Sequence, residues 1–213
     1  MSRAAKQSSD LGTGFLKFNS AQHAPRLHIA ADDDEFDPLI LQHWKEEGFD
    51  VTYLPYDGNA RAFKTELSHL ADDLELGESY ALIAYGDAAA VCLDVHIKPM
   101  PHLCALVCYY PTTIPSPKTK YPPHLQLTVH LAASQGFAPA FPSYTYQGVQ
   151  PGFAEHDLEE YNKVAAGLAW TRTLGAVRKG FKIDVDLEEV WEKHVARTKP
   201  ILPEAMIGPE EKS

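Results

Sequence analysis

The sequence has few cysteines and no long hydrophobic run, and each shortage excludes a class of protein. Only three cysteines, Cys92, Cys104 and Cys108, occur in 213 residues, and their spacing indicates neither a disulfide framework nor a metal site. No stretch approaches the ~18 apolar residues of a membrane span, and residues 1–10 lack the apolar core of a signal peptide. We therefore expect a cytoplasmic protein with reduced thiols that does not bind membranes.

Positive charge is scarce as well. The net charge is −10, and no basic run is longer than Arg178-Lys179, so the chain lacks the electrostatic footprint of a nucleic-acid-binding protein. The acidic stretch DDDEFD at residues 32–37 is more typical of a solvated loop at a strand end than of a metal site. We expect neither a metal nor a cofactor, and the partner we expect is a small molecule or another protein.

Apolar strands and amphipathic helices alternate along the chain. Asp37-Pro38 supplies an N-cap and a first-turn proline for a helix that ends at Gly48. Phe63 and Leu67 recur at helical spacing in the helix that follows the second strand. Such alternation predicts a mainly parallel sheet. The predicted strands cover residues 26–31, 49–56, 80–85, 102–111, 125–133 and 141–146.

The C-terminal part of the chain predicts one long helix and a short appendage. Asp157 and Glu160 form a capping-box pattern that opens a helix reaching Phe181. A second amphipathic stretch surrounds Trp191, before a proline-broken tail. We divide the chain into a polar tail at 1–20, one domain at 21–183, and a short amphipathic helix with a disordered tail at 184–213.

A turn between a predicted strand and helix carries the sequence Ala84-Tyr85-Gly86-Asp87-Ala88. In hydrolases with a nucleophile elbow, this turn reads small-x-nucleophile-x-small, because the bend is sharp and the helix packs closely. Glycine therefore stands where the nucleophile belongs, unless the motif is shifted by one place to Asp87. That shift puts Tyr85 at a small position, so we interpret Gly86 as the vacated position and Asp87 as structural or ligand-facing.

With this elbow and the segment 144–181, YTYQGVQPGFAEHDLEEYNKVAAGLAWTRTLGAVRKGF, the chain resembles the dienelactone hydrolase family, especially its fungal branch. Members of this family are α/β hydrolases that open lactones or esters with a Cys-His-Asp triad. Weaker similarity extends from about Leu27 to Phe181. The resemblance implies a truncated α/β-hydrolase fold of roughly six mainly parallel strands, with helices on both faces of the sheet.

The catalytic cysteine, histidine and acid of the family are absent from the aligned positions of this chain. The resemblance aligns Gly86 with the family's cysteine, Pro151 with its histidine, and Gln135 or Ser134 with its acid. The span from residue 131 to 141 is also too short for the helix that usually lies there. The resemblance therefore implies the fold without the family's hydrolytic chemistry.

Four histidines are candidate replacement bases. His28 and His130 fall within predicted strands and are expected in the core. His96 ends a helix, where its charge would complement the helix dipole. His156 lies nearer the family's histidine loop, but directly before a predicted N-cap we expect it to be exposed.

A set of tyrosines at strand ends predicts aromatic walls on the face where open α/β sheets bind ligands. A small aromatic or polyketide-like molecule would suit such walls, although tyrosine at strand ends is also good strand packing. The predicted pocket residues are Tyr85, Asp87, Tyr110, His130 and Tyr146.

Three functions stay open on the sequence. The first is a non-hydrolytic binding or scaffolding protein, which we favour because the triad positions are vacant. The second is an enzyme of secondary metabolism that isomerises or cyclises a substrate without covalent catalysis. The third is a weak ester or lactone hydrolase that uses unorthodox residues. An enclosed pocket at Gly86 would favour the second function, and a filled site would favour the first.

Overall fold

The computed structural model describes residues 24–183. The predicted tail at 1–20 and the predicted amphipathic stretch around Trp191 lie outside the described residues. The division of the chain at residues 21 and 183 therefore stays a prediction.

A six-stranded sheet in which all strands are parallel forms the centre of the fold, as the sequence predicted. The strand order is β2-β1-β3-β4-β5-β6, so the chain reverses its direction of travel across the sheet after β2. The carboxyl ends of β1 and β3 are neighbours at that switch point, where open α/β sheets place their ligands. The strands are β1 (Arg26–Ala31), β2 (Asp50–Pro55), β3 (Tyr80–Tyr85), β4 (Leu103–Tyr109), β5 (Gln126–Ala132) and β6 (Ser143–Tyr146).

Helices cover both faces of the sheet, which confirms the predicted α/β architecture. Helices α1 (Pro38–Glu46) and α4 (Lys163–Gly180) pack with Ile29, Ile83 and Val107 on one face. Helices α2 (Ala60–His69) and α3 (Gly86–Val95) pack with Leu82 and Leu106 on the other. Side chains alternate between the two faces along each strand, so the apolar strands supply both cores.

The connections beside β5 are shortened. Only a turn of 3-10 helix, Ala133–Gln135, separates β5 from the loop that leads to β6, which agrees with the short span read from the sequence. Tyr121 and Phe141 pack edge to face in the core over this part of the sheet, with ring centroids 5.6 Å apart. No helix within residues 24–183 combines the length and apolarity needed to span a bilayer.

The long C-terminal helix begins later than the sequence predicted. Asn162 caps α4, since its Oδ1 accepts the backbone N–H of Val164 at 3.2 Å and of Ala165 at 3.0 Å. The predicted start at Asp157 is wrong, because residues 157–160 form turns before the helix. Asparagine is as good an N-cap as aspartate, so the capping-box pattern selected the wrong one of two caps.

The three cysteines are free thiols within the fold. Cys92 and Cys108 are buried, and Cys104 is half-buried. Burial raises the pKa of the Cys104 thiol to about 12, and it raises the pKa of Cys92 further. Thiols of this kind are not ionised near neutral pH and make poor nucleophiles.

Candidate functional site

The turn between β3 and α3 keeps the backbone of an elbow. Gly86 begins α3 directly after Tyr85 ends β3, and its φ is +56°. Glycine adopts this left-handed conformation without the steric cost that a Cβ imposes. The bend that normally lifts a nucleophile is therefore present, and it carries no side chain.

The carboxylate of Asp32, directly after β1, lies against this elbow. Its Oδ2 accepts the backbone N–H of Asp87 at 2.8 Å, and its Oδ1 accepts that of Ala88 at 2.7 Å. A Cβ built on Gly86 would overlap Oδ2 of Asp32 and would lie 3.2 Å from its Cγ. Asp32 thus fills the space that a nucleophilic side chain would need, and it binds the N–H groups at the start of α3.

Two effects on the pKa of Asp32 oppose each other. Partial burial of the carboxyl, on a residue that is exposed overall, raises the pKa, and so do the charges of Asp87 and Asp33. The hydrogen bonds from the two backbone amides lower it, but the net shift is upward from the ordinary value. The elbow amides and the helix dipole therefore hold this carboxylate in place without fully offsetting its desolvation.

Asp87 lies beside the elbow as an exposed residue. Its Oδ1 accepts the hydroxyl of Thr112, in the loop after β4, and the backbone N–H of Thr112 approaches the Gly86 carbonyl at 3.4 Å. The side chain is joined to a hydroxyl and not to a base. The structural or ligand-facing role of Asp87 stays a prediction.

The positions aligned with the acid and the base of the triad do not hold a group that could transfer a proton. Gln135 and Ser134 bond backbone groups, and Pro151 has no polar side chain. The amide of Gln135 accepts the Ala132 N–H at 3.0 Å and donates to the Pro111 carbonyl at 2.9 Å, so it ties the ends of β5 and β4 together. Pro151 is exposed in the turn before Phe153. Ser134, the neighbour of Gln135, donates to the Val149 carbonyl at 3.4 Å.

An aromatic ladder crosses the carboxyl ends of four strands. Tyr85 stacks on Tyr109 with ring centroids 4.6 Å apart, Tyr109 stacks on His130 at 4.6 Å, and His130 stacks on Tyr144 at 5.8 Å. Each pair is also a pair in the strand register, so the parallel sheet itself brings the rings together. The ladder faces α4, where Thr173 bonds both the Tyr109 hydroxyl at 2.6 Å and His130 Nε2 at 2.9 Å.

Four of the five predicted pocket residues therefore belong to the core. Tyr85, Tyr110, His130 and Tyr146 are 4%, 4%, 0% and 5% exposed, whereas Asp87 is exposed. Burial lowers the pKa of His130 to about 3, with a smaller effect from the nearby Arg172 charge, so the imidazole is neutral and cannot gain a proton near pH 7. Tyr85 packs against Tyr110 with ring centroids 5.9 Å apart, and Nδ1 of His130 lies 2.9 Å from the Tyr146 hydroxyl, whereas Asp87 bonds Thr112.

His28 and His96 are buried as well. His28 lies in the core as expected, and burial followed by the Arg26 charge lowers its pKa to about 4. Nδ1 of His96 lies 2.7 Å from the Cys92 carbonyl, and burial lowers the pKa of His96. Burial therefore disfavours the charged form of His96 that was expected to complement the helix dipole.

His156 pairs with Asp37, a contact that the sequence did not predict. Nδ1 of the half-buried imidazole lies 2.8 Å from Oδ2 of Asp37, which also accepts the His156 backbone N–H at 2.6 Å. Asp37 is 1% exposed and caps α1, accepting the Leu39 N–H at 2.9 Å. Burial disfavours the charged carboxyl, but the bonds from His156 and Leu39 outweigh burial and lower the pKa of Asp37. A separation of 119 residues hides this pair from sequence analysis.

Glu155 is a second buried carboxyl near the elbow. It is 8% exposed and accepts the hydroxyl of Tyr110, the residue that follows β4. The pKa of Glu155 is raised to about 7, mainly by burial. The hydrogen bond from Tyr110 lowers the pKa, and the charges of Asp157, Asp33 and Asp37 raise it further. No sequence pattern marked Glu155, since a glutamate in a polar loop is ordinarily exposed.

A surface depression is formed by α2, and the side chains that could bind a metal are not grouped in the part of the chain that the structure describes. Within residues 24–183, no group of three or more His, Cys, Asp or Glu side chains is arranged to hold a metal ion. An open depression of about 510 Å³ is lined by α2 alone, through Ala60, Arg61, Lys64, Thr65 and Ser68.

Comparison with known proteins gives structural matches only. No protein-family profile matches the chain, and no curated protein matches it by sequence. A protein assigned as a dienelactone hydrolase from Klebsiella pneumoniae superposes with a TM-score of 0.58 at 11% identity, covering 78% of this chain and 90% of that one. An α/β hydrolase from a Medee basin deep-sea metagenome library superposes with a TM-score of 0.52 at 12% identity, covering 75% of this chain and 86% of that one. Est1E from Butyrivibrio proteoclasticus superposes with a TM-score of 0.50 at 10% identity, covering 75% of this chain and 91% of that one.

Proposed function

We propose that this chain, which has the fold of the α/β hydrolases, is a non-hydrolytic binding or scaffolding protein. The observation that carries the proposal is the carboxylate of Asp32 at the elbow. It occupies the space of the missing nucleophile and binds two backbone amides at the start of α3.

Hydrolysis by this fold needs a nucleophile, a base and amides that stabilise an oxyanion. Gly86 and Pro151 offer neither a nucleophile nor a base, and a substrate carbonyl would have to displace Asp32 to reach the amides. Displacement is costly because it separates a carboxylate from the positive end of a helix. The arrangement supports a protein that keeps the fold and has closed the reaction site.

A protein partner suits the structure better than a small aromatic ligand. Tyr85 packs against Tyr110, and both Tyr110 and Tyr146 pack against Phe153, so these rings already have partners. A ligand that stacked on them would have to replace these contacts. We therefore place a protein partner first, and we propose that the protein acts in the cytoplasm, as its reduced and buried thiols suggest.

Turnover assays test the proposal. Purified protein is incubated with p-nitrophenyl acetate and with an aromatic lactone, and we expect no rate above that of the buffer. Labelling by a fluorophosphonate or iodoacetamide probe provides an independent measure. Rapid labelling of one residue, together with turnover that is lost when this residue is replaced, would contradict the proposal.

A second candidate function, proton transfer in an isomerisation, rests on the His156 pair. Asp37 accepts from Nδ1 of His156 and so fixes the tautomer that leaves Nε2 as a base on a half-buried ring. Incubating the protein in D₂O with a panel of enolisable ketones tests this function. Deuterium incorporation that is lost in both His156→Gln and Asp37→Asn would favour it over the binding protein.

A further inference from the structure

The outer face of α4 is apolar, although the helix lies at the surface. Val164 is 73% exposed and Leu168 is 49% exposed. They share one side of the helix with Thr171 and Gly175, because residues three or four apart lie on the same face. The opposite side is buried, through Ala165, Ala169, Thr173 and Val177. A surface helix normally turns charged side chains to the solvent, so this face is unusual for one that stays in water.

Charge is nearly absent from the middle of this outer face. Arg172 is the one charged residue of α4 between Lys163 and Arg178. Its guanidinium carbon lies 4.1 Å from the centroid of the Tyr144 ring on β6, at one edge of the sheet. Arg172 therefore bends toward the sheet edge and leaves the centre of the outer face to Leu168 and to residues with small side chains.

Two glycines of α4 are not explained by packing among the described residues. Gly167 and Gly175 are exposed, and a Cβ built on either meets nothing within 4 Å. Gly180 differs, since a Cβ there would lie 2.8 Å from the Cβ of Ala105. Only proline is less favourable than glycine in a helix interior, so alanine would stabilise α4 at both exposed positions. A second helix that approaches closely would account for these glycines, because side-chain size sets the distance between packed helices.

The two ends of α4 carry exposed charges of opposite sign. The loop before the helix contributes Asp157, Glu159 and Glu160, and the C-terminal end contributes Lys179 and Lys182. Lys163, at the start of α4, offsets only part of the negative charge. No ion pair within residues 24–183 uses any of these side chains. Two antiparallel copies of α4 would place the acidic end of one beside the basic end of the other, so the face is complementary to itself.

We infer that α4 is the contact surface of a homodimer, in which two copies of the helix pack antiparallel about a twofold axis near Thr171. Gly167 and Gly175 are equally far along the chain from Thr171, so this axis places Gly167 of one copy opposite Gly175 of the other. Glu160 and Lys182 are also equally far from Thr171 and meet in the same way. Such an interface uses the same surface twice and closes at two subunits. The inference goes beyond the proposed function, since self-association depends on neither a substrate nor the elbow.

Sedimentation of the native full-length protein tests the dimer. One helix pair with the adjoining sheet edge is smaller than a standard interface, so we expect a weak dimer with a Kd of the order of 10–100 µM. Sedimentation equilibrium between about 5 and about 500 µM covers this range. A protein that stays monomeric throughout would overturn the inference and leave the outer face to another part of the chain or to a different protein.

A charge at the centre of the interface should separate the two subunits. Leu168→Glu buries a carboxylate in the dimer but is exposed in the monomer, so we expect a rise in Kd of about tenfold or more with the fold retained. Leu39→Glu is the matched control, because Leu39 is 52% exposed on α1 and should leave the Kd unchanged. Circular dichroism checks both folds. A native Kd in Leu168→Glu would overturn the inference.

The glycines separate a role in association from a role in the monomer. Gly167→Ala and Gly175→Ala should raise the melting temperature of the monomer, because each added methyl enters open space. Both should also raise the Kd several-fold, since the two helices can no longer approach as closely. An unchanged Kd in both variants would contradict close packing of the helices and overturn the inference.

A disulfide cross-link tests the position of the twofold axis and is independent of the other variants. In Thr171→Cys the two introduced thiols face each other across the axis, so mild oxidation should give a covalent dimer that reduction reverses. Ser68→Cys is the matched control, because Ser68 is exposed and its hydroxyl, like that of Thr171, bonds a carbonyl of its own helix. The same yield of covalent dimer in both variants, or none in Thr171→Cys, would overturn the inference.

Discussion

Asp32 and Gly86 occupy one space at the elbow, because a Cβ on Gly86 would overlap the Oδ2 of Asp32. Glycine at this place therefore does more than permit a positive φ, since it leaves room for a carboxylate from the loop after the neighbouring strand β1. The same two residues explain why the elbow can keep its bend without a nucleophile. The Asp32 carboxylate accepts the amides that a reaction intermediate would otherwise use.

Gly86→Ala should destabilise the protein by more than the cost of its backbone conformation alone. A non-glycine residue at a left-handed φ costs about 1–2 kcal/mol, and the added methyl must also displace Asp32. Chemical denaturation measures the loss. Gly148→Ala is the matched control, because its φ is +71° and a Cβ there meets nothing within 4 Å. Equal losses in the two variants would show that Asp32 moves aside freely.

The carboxylates at the elbow should not form covalent esters. Asp87 is bonded to the Thr112 hydroxyl, and the oxygens of Asp32 accept two backbone amides, so neither has an adjacent base to activate water. Mass spectrometry after incubation with an epoxide or alkyl halide should find both residues unmodified, and Asp87→Asn should leave any measured activity mostly intact. An adduct on Asp87 would show that the nucleophile had moved by one place, and an adduct on Asp32 would show that it had moved to the loop after β1.

The fold could be predicted from the sequence because its signals are local. The apolar run at residues 80–85 and the Asp37-Pro38 helix start each act within a few residues, and the structure confirms both. The predicted start of α4 at Asp157 was wrong because Asp157 and Asn162 are both good N-caps, and tertiary packing decides between them.

The contacts that define the site join residues far apart in the chain, so no local pattern marks them. Asp32 and Asp87 are 55 residues apart, and Tyr110 and Glu155 are 45 apart. The aromatic ladder depends on strand register, which apolar runs alone do not fix. The sequence thus predicted that Gly86 lacks a nucleophile, but it could not predict that Asp32 would fill the space.

Thr173→Val should be among the more destabilising single changes in α4. It removes the hydroxyl that bonds Tyr109 and His130, and both are buried, so two polar groups lose their partner. A buried polar group without a partner costs about 1–3 kcal/mol. Thr171→Val is the control, since Thr171 is exposed and its hydroxyl reaches only the Gly167 carbonyl of its own helix. Urea denaturation that gave the same midpoint for both variants would contradict a role of the ladder in stability.

Asp37→Asn should lower stability at neutral pH and make the protein less sensitive to acid. Bonds from His156 and Leu39 outweigh burial and lower the pKa of Asp37 below its ordinary 3.8. A lowered pKa contributes stability that is present above the ordinary value and is lost as the pH falls through the folded value. Asparagine keeps one acceptor but loses the charge, and bonds to a charged group are worth about 1.5–3 kcal/mol.

Denaturation at pH 7 and at pH 3 measures this contribution. The free energies of unfolding of the native protein and of Asp37→Asn should differ by a large amount at pH 7 and by a smaller amount at pH 3. Asp157→Asn, at an exposed position near the same loop, should change neither value. A difference for Asp37→Asn that was as large at pH 3 as at pH 7 would show that Asp37 stabilises the fold through its shape alone.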